Sequence, residues 1–330
     1  MTSSSSANRL ELVTLEEPPS QSFAEDVVRG LTASPKRLSC HWFYDEIGSQ
    51  LFEQICDLPE YYLTRCERSI LEKRAEEIAA RFSGSTTLVE LGSGSASKTR
   101  LLIEAFLERH GRLQFAPIDI SKTMLEESAV ELLDDYPALE IRALAGRYES
   151  GLAHLARGHV SPKLTLWLGS SVGNLDRPKA AHFLREVRAG MAPDDRLLIG
   201  IDLRKDRLTL EAAYDDSDGV TARFDLNLLE RINREHGGHF DVSKFAHRAT
   251  WRADSGRVES HLVSRVSQRV RIDEVDLEVS FAAGETIHTE NSYKYSQDEI
   301  DWLARTASME REASWLDADG LYTLNLFAPT

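Results

Sequence analysis

Between Thr86 and Leu203, five short apolar runs alternate with stretches in which apolar residues recur at helical spacing; the runs are STTLVEL, QFAPIDI, LEIRALA, KLTLWLG and DRLLIGIDL. Runs that are apolar along most of their length are strands covered on both faces. Repeated strand–helix–strand units close through right-handed crossovers onto a parallel sheet. The expected class is therefore α/β, with helices on both faces of the sheet.

The flanks read differently. From Phe23 to about Ala80 the spacing is mostly helical, as in FAEDVVRGL and SQLFEQI, with a turn around Leu58-Pro59-Glu60. After Leu203 a charged helical region gives way to period-two segments, RVESHLVSRV and VDLEVSF, with Asp254-Ser255-Gly256 as a hairpin turn. The end of the chain, SQDEIDWLARTA then REASWLDADGLYTLNLFAP, reads helix, strand, Asp-Gly turn, strand, and returns to the sheet. The predicted layout is a doubly wound sheet from residues 67–203 and 296–330, and a second, α+β domain from residues 21–66 and 204–295. Residues 1–20, Ser-rich, then acidic, then Pro18-Pro19, are expected to form a mobile tail.

Composition narrows the function classes. With 42% hydrophobic residues in 330, the chain can build a core in each of two domains. Acidic residues outnumber basic ones 54 to 39, and the net charge of -15 would repel a phosphate backbone or an anionic membrane. No stretch approaches the roughly 18 apolar residues of a membrane span, and MTSSSSANRLELV lacks a basic segment followed by an apolar one. The expected location is cytoplasmic. Cys40, Cys56 and Cys66 form no C-x-x-C pair and read as reduced thiols. His236, His239 and His247 lack the H-E-x-x-H spacing and are split by Gly237-Gly238, so no metal is expected.

The strongest local signal is Val89-Glu90-Leu91-Gly92-Ser93-Gly94-Ser95-Ala96-Ser97-Lys98, leaving the first of the five strands. Gly92 and Gly94 allow a tight turn and close backbone approach to a ligand, but Ser97 stands where a dinucleotide fingerprint has its third glycine. Glu90 just before the glycines tolerates a sulfonium and an amino group better than a pyrophosphate. Asp119, ending the second of the five strands in PIDIS, can accept both ribose hydroxyls. This favours S-adenosylmethionine over a nicotinamide dinucleotide; Asp119 as a plain helix cap is the competing reading.

Five segments in one order carry a more specific signal: residues 30–65 (GLTASPKRLSCHWFYDEIGSQLFEQICDLPEYYLTR), 89–100 (VELGSGSASKTR), 168–175 (LGSSVGNL), 213–224 (AYDDSDGVTARF) and 281–295 (FAAGETIHTENSYKY). Together they resemble the histidine Nα-methyltransferases of ergothioneine biosynthesis, over nearly the whole chain after the tail. The resemblance implies a Rossmann-like class I methyltransferase sheet, mainly parallel with an antiparallel last strand, and a second substrate-binding domain. It implies S-adenosylmethionine contacts at Gly92, Lys98 and Asp119 and at the adenine-side pair Arg147 and Tyr148. It implies contacts to the amine and carboxylate of an amino acid at Tyr61, Asn174 and Tyr214, and to its side chain at Glu290, Asn291 and Ser292. Phe224 and Ser260 fall on the same substrate side.

Residue chemistry fits these positions. The Asn174 amide offers a donor and an acceptor, so it can hold amine and carboxylate together. Tyr61 and Tyr214 can bond a carboxylate while their rings flank a methylated ammonium, and Tyr44 is a further ring for that cation. Glu290 and Ser292 alternate on an expected strand and share a face, where they can read the two ends of an imidazole. Two positions depart from the family pattern. Arg147 stands where an acid is usual and cannot accept a hydrogen bond, and Ser260 stands where a methionine is expected.

The reading is an S-adenosylmethionine-dependent Nα-methyltransferase that converts histidine to its trimethyl betaine, acting as a monomer on a free amino acid. The runner-up keeps the reaction and takes another aromatic or modified amino acid, on account of Ser260. A rival from another class, motivated by Arg147, is a non-catalytic sensor of S-adenosylmethionine or an amino acid.

Overall fold

The computed structural model describes residues 9–16, 22–158 and 162–330. In its first half the elements run β1 (Leu10–Thr14), α1 (Phe23–Thr32), β2 (Lys36–Arg37), α2 (Glu46–Asp57), α3 (Tyr62–Ala79), β3 (Thr87–Leu91), α4 (Arg100–His110), β4 (Leu113–Asp119), α5 (Lys122–Asp135), β5 (Leu139–Ala145) and α6 (Tyr148–Arg157). The rest runs β6 (Lys163–Trp167), α7 (Arg177–Ala189), β7 (Arg196–Asp202), α8 (Arg207–Tyr214), α9 (Val220–His236), β8 (Phe245–Arg252), β9 (Arg257–Ser264), β10 (Gln268–Ile272), β11 (Leu277–Phe281), β12 (Thr286–Tyr293), α10 (Gln297–Thr306), β13 (Met309–Leu316) and β14 (Tyr322–Pro329). The chain divides into two compact units. One holds the N-terminal strand, Arg65–Leu203 and Tyr295–Thr330, and the other Pro19–Thr64 and Arg204–Lys294.

The first unit is built on an eight-stranded sheet in the order β1-β5-β4-β3-β6-β7-β14-β13. The five apolar runs are its central strands, β3 to β7, and every residue of β3 and of β6 is buried. Neighbours from β1 through β7 pair in parallel, whereas β14 pairs antiparallel with both β7 and β13. The last strand is thus the antiparallel one. Its Tyr322-to-Phe327 register against β7 buries Leu324 and Leu326 completely. Successive strands run outward from β3 to β5 on one side and from β6 to β7 on the other. This makes the β3/β6 boundary the switch point at which open α/β sheets bind ligands beyond their carboxyl ends.

The helices start where side chains cap them. Ser121 accepts from the Met124 amide at the start of α5, and Asp176 accepts from the Lys179 amide at α7. Ser296 and Glu299 form a reciprocal capping box at α10.

The N-terminus corrects the expectation of a mobile tail over residues 1–20. Leu10–Thr14 is a strand in parallel register with Ile141–Ala145, and the Arg9 guanidinium donates to the carbonyls of Leu133, Tyr136 and Leu139. Five residues of LELVT suffice because the exposed edge of β5 supplies the partner backbone groups. Composition averaged over twenty residues hides so short a segment. The remainder of that expected tail lies outside the described residues, apart from Arg9, Leu15 and Glu16.

The second unit has a four-stranded sheet, β2-β12-β9-β8, and a separate β10-β11 hairpin. The Asp254-Ser255-Gly256 turn joins β8 to β9, with Gly256 at φ 66. Helical spacing over residues 23–80 is interrupted by β2, which adds to β12 through Ile287 and His288, and by a 3₁₀ turn at Cys40–Phe43. Two residues of strand carry no periodic signal and form only because the β12 edge is there. No helix among the described residues is long and apolar enough to cross a membrane.

Candidate active site

Two polar centres stand out, one in each unit. In the first unit the chain leaves β3 at Leu91 and turns through Gly92 and Gly94, both at positive φ (74 and 48). Helix α4 begins only at Arg100, so the glycines sit in a two-turn loop and not directly on a helix N-terminus. A Cβ on Gly92 would collide with the Tyr148 hydroxyl, so only glycine permits this close approach.

Asp119 ends β4 beside the loop. Its carboxylate accepts from the Gly94 amide at 3.2 Å and the Ser121 amide at 2.9 Å. Ser121, not Asp119, caps α5, so the competing reading of Asp119 as a helix cap does not hold. Burial raises the Asp119 pKa, against the pull of these amides.

Glu90 is buried. One carboxyl oxygen accepts from the Thr99 hydroxyl at 2.5 Å, and the other has no partner among the described residues, as is also true of the Ser93 hydroxyl. Burial pushes Glu90 up to about 8, with Glu67 and Asp119 adding to the rise and Thr99 and Lys98 opposing it. An unpartnered buried carboxyl oxygen is costly unless a ligand satisfies it. Together with the open glycine turn and the half-used oxygens of Asp119, this donor-poor corner fits a ligand bearing an ammonium and ribose hydroxyls. S-adenosylmethionine is such a ligand.

Lys98 pairs with Glu67, a fully buried carboxylate on α3 that sequence reading overlooks. Glu67 also accepts from the Gly169 amide at 2.9 and 3.0 Å and from the Tyr322 hydroxyl at 2.7 Å. It thereby ties the glycine loop to the turn after β6 and to the last strand. Within the run TRCERSILEKRAEE nothing distinguishes Glu67 from the solvated charges around it, so only the fold reveals it. Arg147 is the residue before α6 and is half exposed, 3.8 Å from Glu149, while Tyr148 is half-buried, its phenol pKa raised by desolvation and by Asp119. Asn174 ends the 3₁₀ turn Ser171–Asn174 beyond β6 and is exposed.

In the second unit the predicted substrate residues fall mostly on one sheet face and an aromatic cluster. Cross-strand register sets Glu290 of β12 opposite Ser260 of β9, which faces Ala249 of β8, and sets Ser292 opposite Val258. Glu290, Ser292 and Ser260 therefore share a face. The Ser292 and Tyr214 hydroxyls are 2.8 Å apart, and Lys294 reaches both. Tyr61 and Tyr214 have ring centroids 6.1 Å apart. Tyr44 lies 5.8 Å from Phe224 and 5.5 Å from Phe52, another residue that sequence reading missed.

Asn291 does not join this group through its side chain. Asn291 lies on the opposite face, and a bulge between His288 and Glu290 puts His288 there too, with the Asn291 side-chain carbonyl oxygen 3.0 Å from its ring. Adjacent strand residues point to opposite faces, so Glu290 and Asn291 cannot both turn side chains to one ligand.

Charge on the Glu290 face is set from below. His247 of β8 directs Nδ1 at the Asp225 carboxylate and Nε2 at the Tyr214 backbone carbonyl, each at 2.7 Å. Burial alone would lower the His247 pKa. The hydrogen bond and charge of Asp225, with the Tyr214 carbonyl, bring it up to about 9. Burial and the Asp225 charge push Glu290 up to about 7, against Lys294 and His247. The other two histidines of the sequence cluster go elsewhere, His236 to Glu274 and His239 to Asp273.

The chain is similar to known proteins along most of its length. Residues 23–329 match the family described as "Histidine-specific methyltransferase, SAM-dependent". The chain is 42% identical over 306 residues to the histidine N-alpha-methyltransferase of Mycolicibacterium smegmatis, covering 93% of this chain and 94% of that one. It is equally 42% identical over 303 residues to the enzyme of that name from Mycobacterium tuberculosis, covering 92% and 94%. Ergothioneine biosynthesis protein 1 of Neurospora crassa is 32% identical over 302 residues, 89% of this chain and 33% of that longer protein. With its parallel sheet, glycine turn and Asp119 in place, the chain belongs to the S-adenosylmethionine-dependent, histidine-specific methyltransferases.

Proposed function

We propose that this protein methylates the α-amino nitrogen of L-histidine three times in succession, giving the trimethyl betaine of ergothioneine biosynthesis. The observation that carries the reading is the shared face of Glu290 and Ser292, a half-buried carboxyl and a buried hydroxyl two residues apart on β12. These groups can accept an imidazole N–H and donate to the second ring nitrogen. The 42% identity to two histidine N-alpha-methyltransferases supports the same acceptor.

S-adenosylmethionine supplies a methyl carbon already activated by its sulfonium. Glu90, Asp119 and the Gly92–Gly94 turn would hold it, with Lys98 fixed by Glu67 and with Arg147 and Tyr148 on the adenine side. What remains for the protein is to bind, orient and deprotonate the amine. Tyr61, Tyr214 and Asn174 would grip amine and carboxylate. Burial, helped by Tyr214, Cys56, Tyr44 and Glu290, raises the Tyr61 phenol well above its usual range. Tyr61 is therefore a neutral phenol, able to donate a hydrogen bond. The rings of Tyr44, Tyr61 and Phe224 offer faces to a methylated ammonium, which favours retention of the partly methylated intermediates. Only the neutral amine is nucleophilic, so turnover is expected to rise with pH through the amine pKa.

The test is mass spectrometry of the purified protein with S-adenosylmethionine and an equal mixture of the standard amino acids. Histidine carrying three added methyl groups is expected. Trimethylation of another amino acid would keep the reaction and move the acceptor, with the small Ser260 beside Glu290 as the cause. No product on any amine would overturn the reading.

A further inference from the structure

Lys294 is the residue after β12 and is completely buried. Its ammonium donates to the Tyr214 hydroxyl at 2.7 Å and to the Ser292 hydroxyl at 2.9 Å, and it lies 4.5 Å from the centre of the Tyr214 ring. The two hydroxyls are themselves 2.8 Å apart, closing a triangle of three polar groups. A buried lysine is costly unless its hydrogens find acceptors, and the two hydroxyls take two of its three. Tyr214 and Ser292 already belong to the proposed amino acid site; Lys294 has no role in it so far.

Counting hydrogens gives Lys294 one. An ammonium can only donate, so it fills one lone pair on each hydroxyl oxygen. The Tyr214–Ser292 contact uses one hydroxyl hydrogen, given in one direction or the other. In either direction the hydroxyl that accepts twice must send its own hydrogen out of the triangle. Without the ammonium nothing in the triangle imposes that direction.

We infer that Lys294 is a positioning residue of the acceptor site, whose ammonium locks the Tyr214–Ser292 pair as a hydrogen donor toward a lone-pair acceptor of the substrate. Two groups of an amino acid such as histidine have that chemistry: its carboxylate and its unprotonated ring nitrogen. The inference rests on the proposed function, since Tyr214 and Ser292 enter it as substrate contacts.

The experiment compares the wild-type chain with K294M, which keeps length and apolar bulk. It uses histidine, histidinamide (no carboxylate) and phenylalanine (no ring nitrogen) as acceptors, and calorimetry for S-adenosylmethionine. The histidine KM is expected to rise at least about tenfold in K294M, with kcat falling less and S-adenosylmethionine affinity unchanged. The analogue lacking the recognised group is expected to lose little in K294M, which identifies that group. An unchanged histidine KM in K294M, with wild-type turnover intact, would overturn the inference and leave the function standing. Absence of methylated histidine from the wild type would remove both. Should K294M not fold, Y214F and S292A each delete only an oxygen. If the ammonium works through the pair as one unit, the Y214F/S292A double variant raises the histidine KM much less than the product of the two single effects. Independent, multiplying effects would overturn the inference.

Discussion

Glu290 shows how much a single residue's charge depends on its surroundings. Burial and Asp225 raise its pKa to about 7, so it loses its acceptor character as pH falls through that value. The histidine KM is therefore expected to rise below about pH 7, and E290Q, which cannot ionise, to flatten that dependence across a KM–pH series. Replacement by alanine leaves an imidazole N–H unpaired and is expected to cost about 1 to 3 kcal/mol in kcat/KM for histidine, with S-adenosylmethionine affinity unchanged. Glu90 carries a stability consequence. Its folded-state pKa, about 8, lies above the ordinary carboxyl value of 4.5. The folded state thus holds a proton that the unfolded state has lost. Stability is full below the ordinary value and declines as pH rises through the folded one. E90Q, neutral throughout, is expected to remove this alkaline decline when urea midpoints are compared at about pH 5 and about pH 9. Glu90 and Glu290 were both legible as candidates in the sequence. Their protonation was not, because it depends on Asp225, Lys98 and the degree of burial, which have no sequence signature.

At the scale of elements, the turn after β3 and the strand β1 make contrasting predictions. Gly92 combines positive φ with a site where a Cβ meets the Tyr148 hydroxyl. G92A is expected to abolish measurable S-adenosylmethionine binding while lowering stability by only about 1 to 2 kcal/mol, read by calorimetry and thermal unfolding. Strand β1 predicts the reverse. A chain lacking residues 1–16 loses the β1–β5 ladder and the three Arg9 hydrogen bonds and is expected to be less stable, with S-adenosylmethionine affinity preserved. Strands with long apolar runs were readable because both faces are covered inside one unit. LELVT and Lys36–Arg37 were not, since each is a short edge addition whose pairing energy comes from a distant partner strand. The bulge in β12 belongs here too. It puts His288 on the Asn291 face, opposite Glu290 and Ser292, and no residue type in TENSY signals it.

For the whole molecule, the monomer implied by the family resemblance is tested by sedimentation velocity, which is expected to give the mass of one chain, independent of concentration. The amino-acid sequence by itself determined the α/β class, the order of the central strands along the chain and the antiparallel hairpin that closes it. Hydrophobic periodicity and turn chemistry are local properties, written in neighbouring residues. It also supplied Gly92, Gly94 and Asp119, because a tight turn and a strand-end acid are local as well. Tertiary structure alone decided that Glu67 is a buried hub for Lys98, Gly169 and Tyr322, and that His247 and Asp225 form a buried pair under Tyr214. It also decided that Lys294 closes a triangle with Tyr214 and Ser292. The physical reason is common to all three. A charged residue reads as solvated surface until residues far away in sequence remove its water and replace it with hydrogen-bond partners.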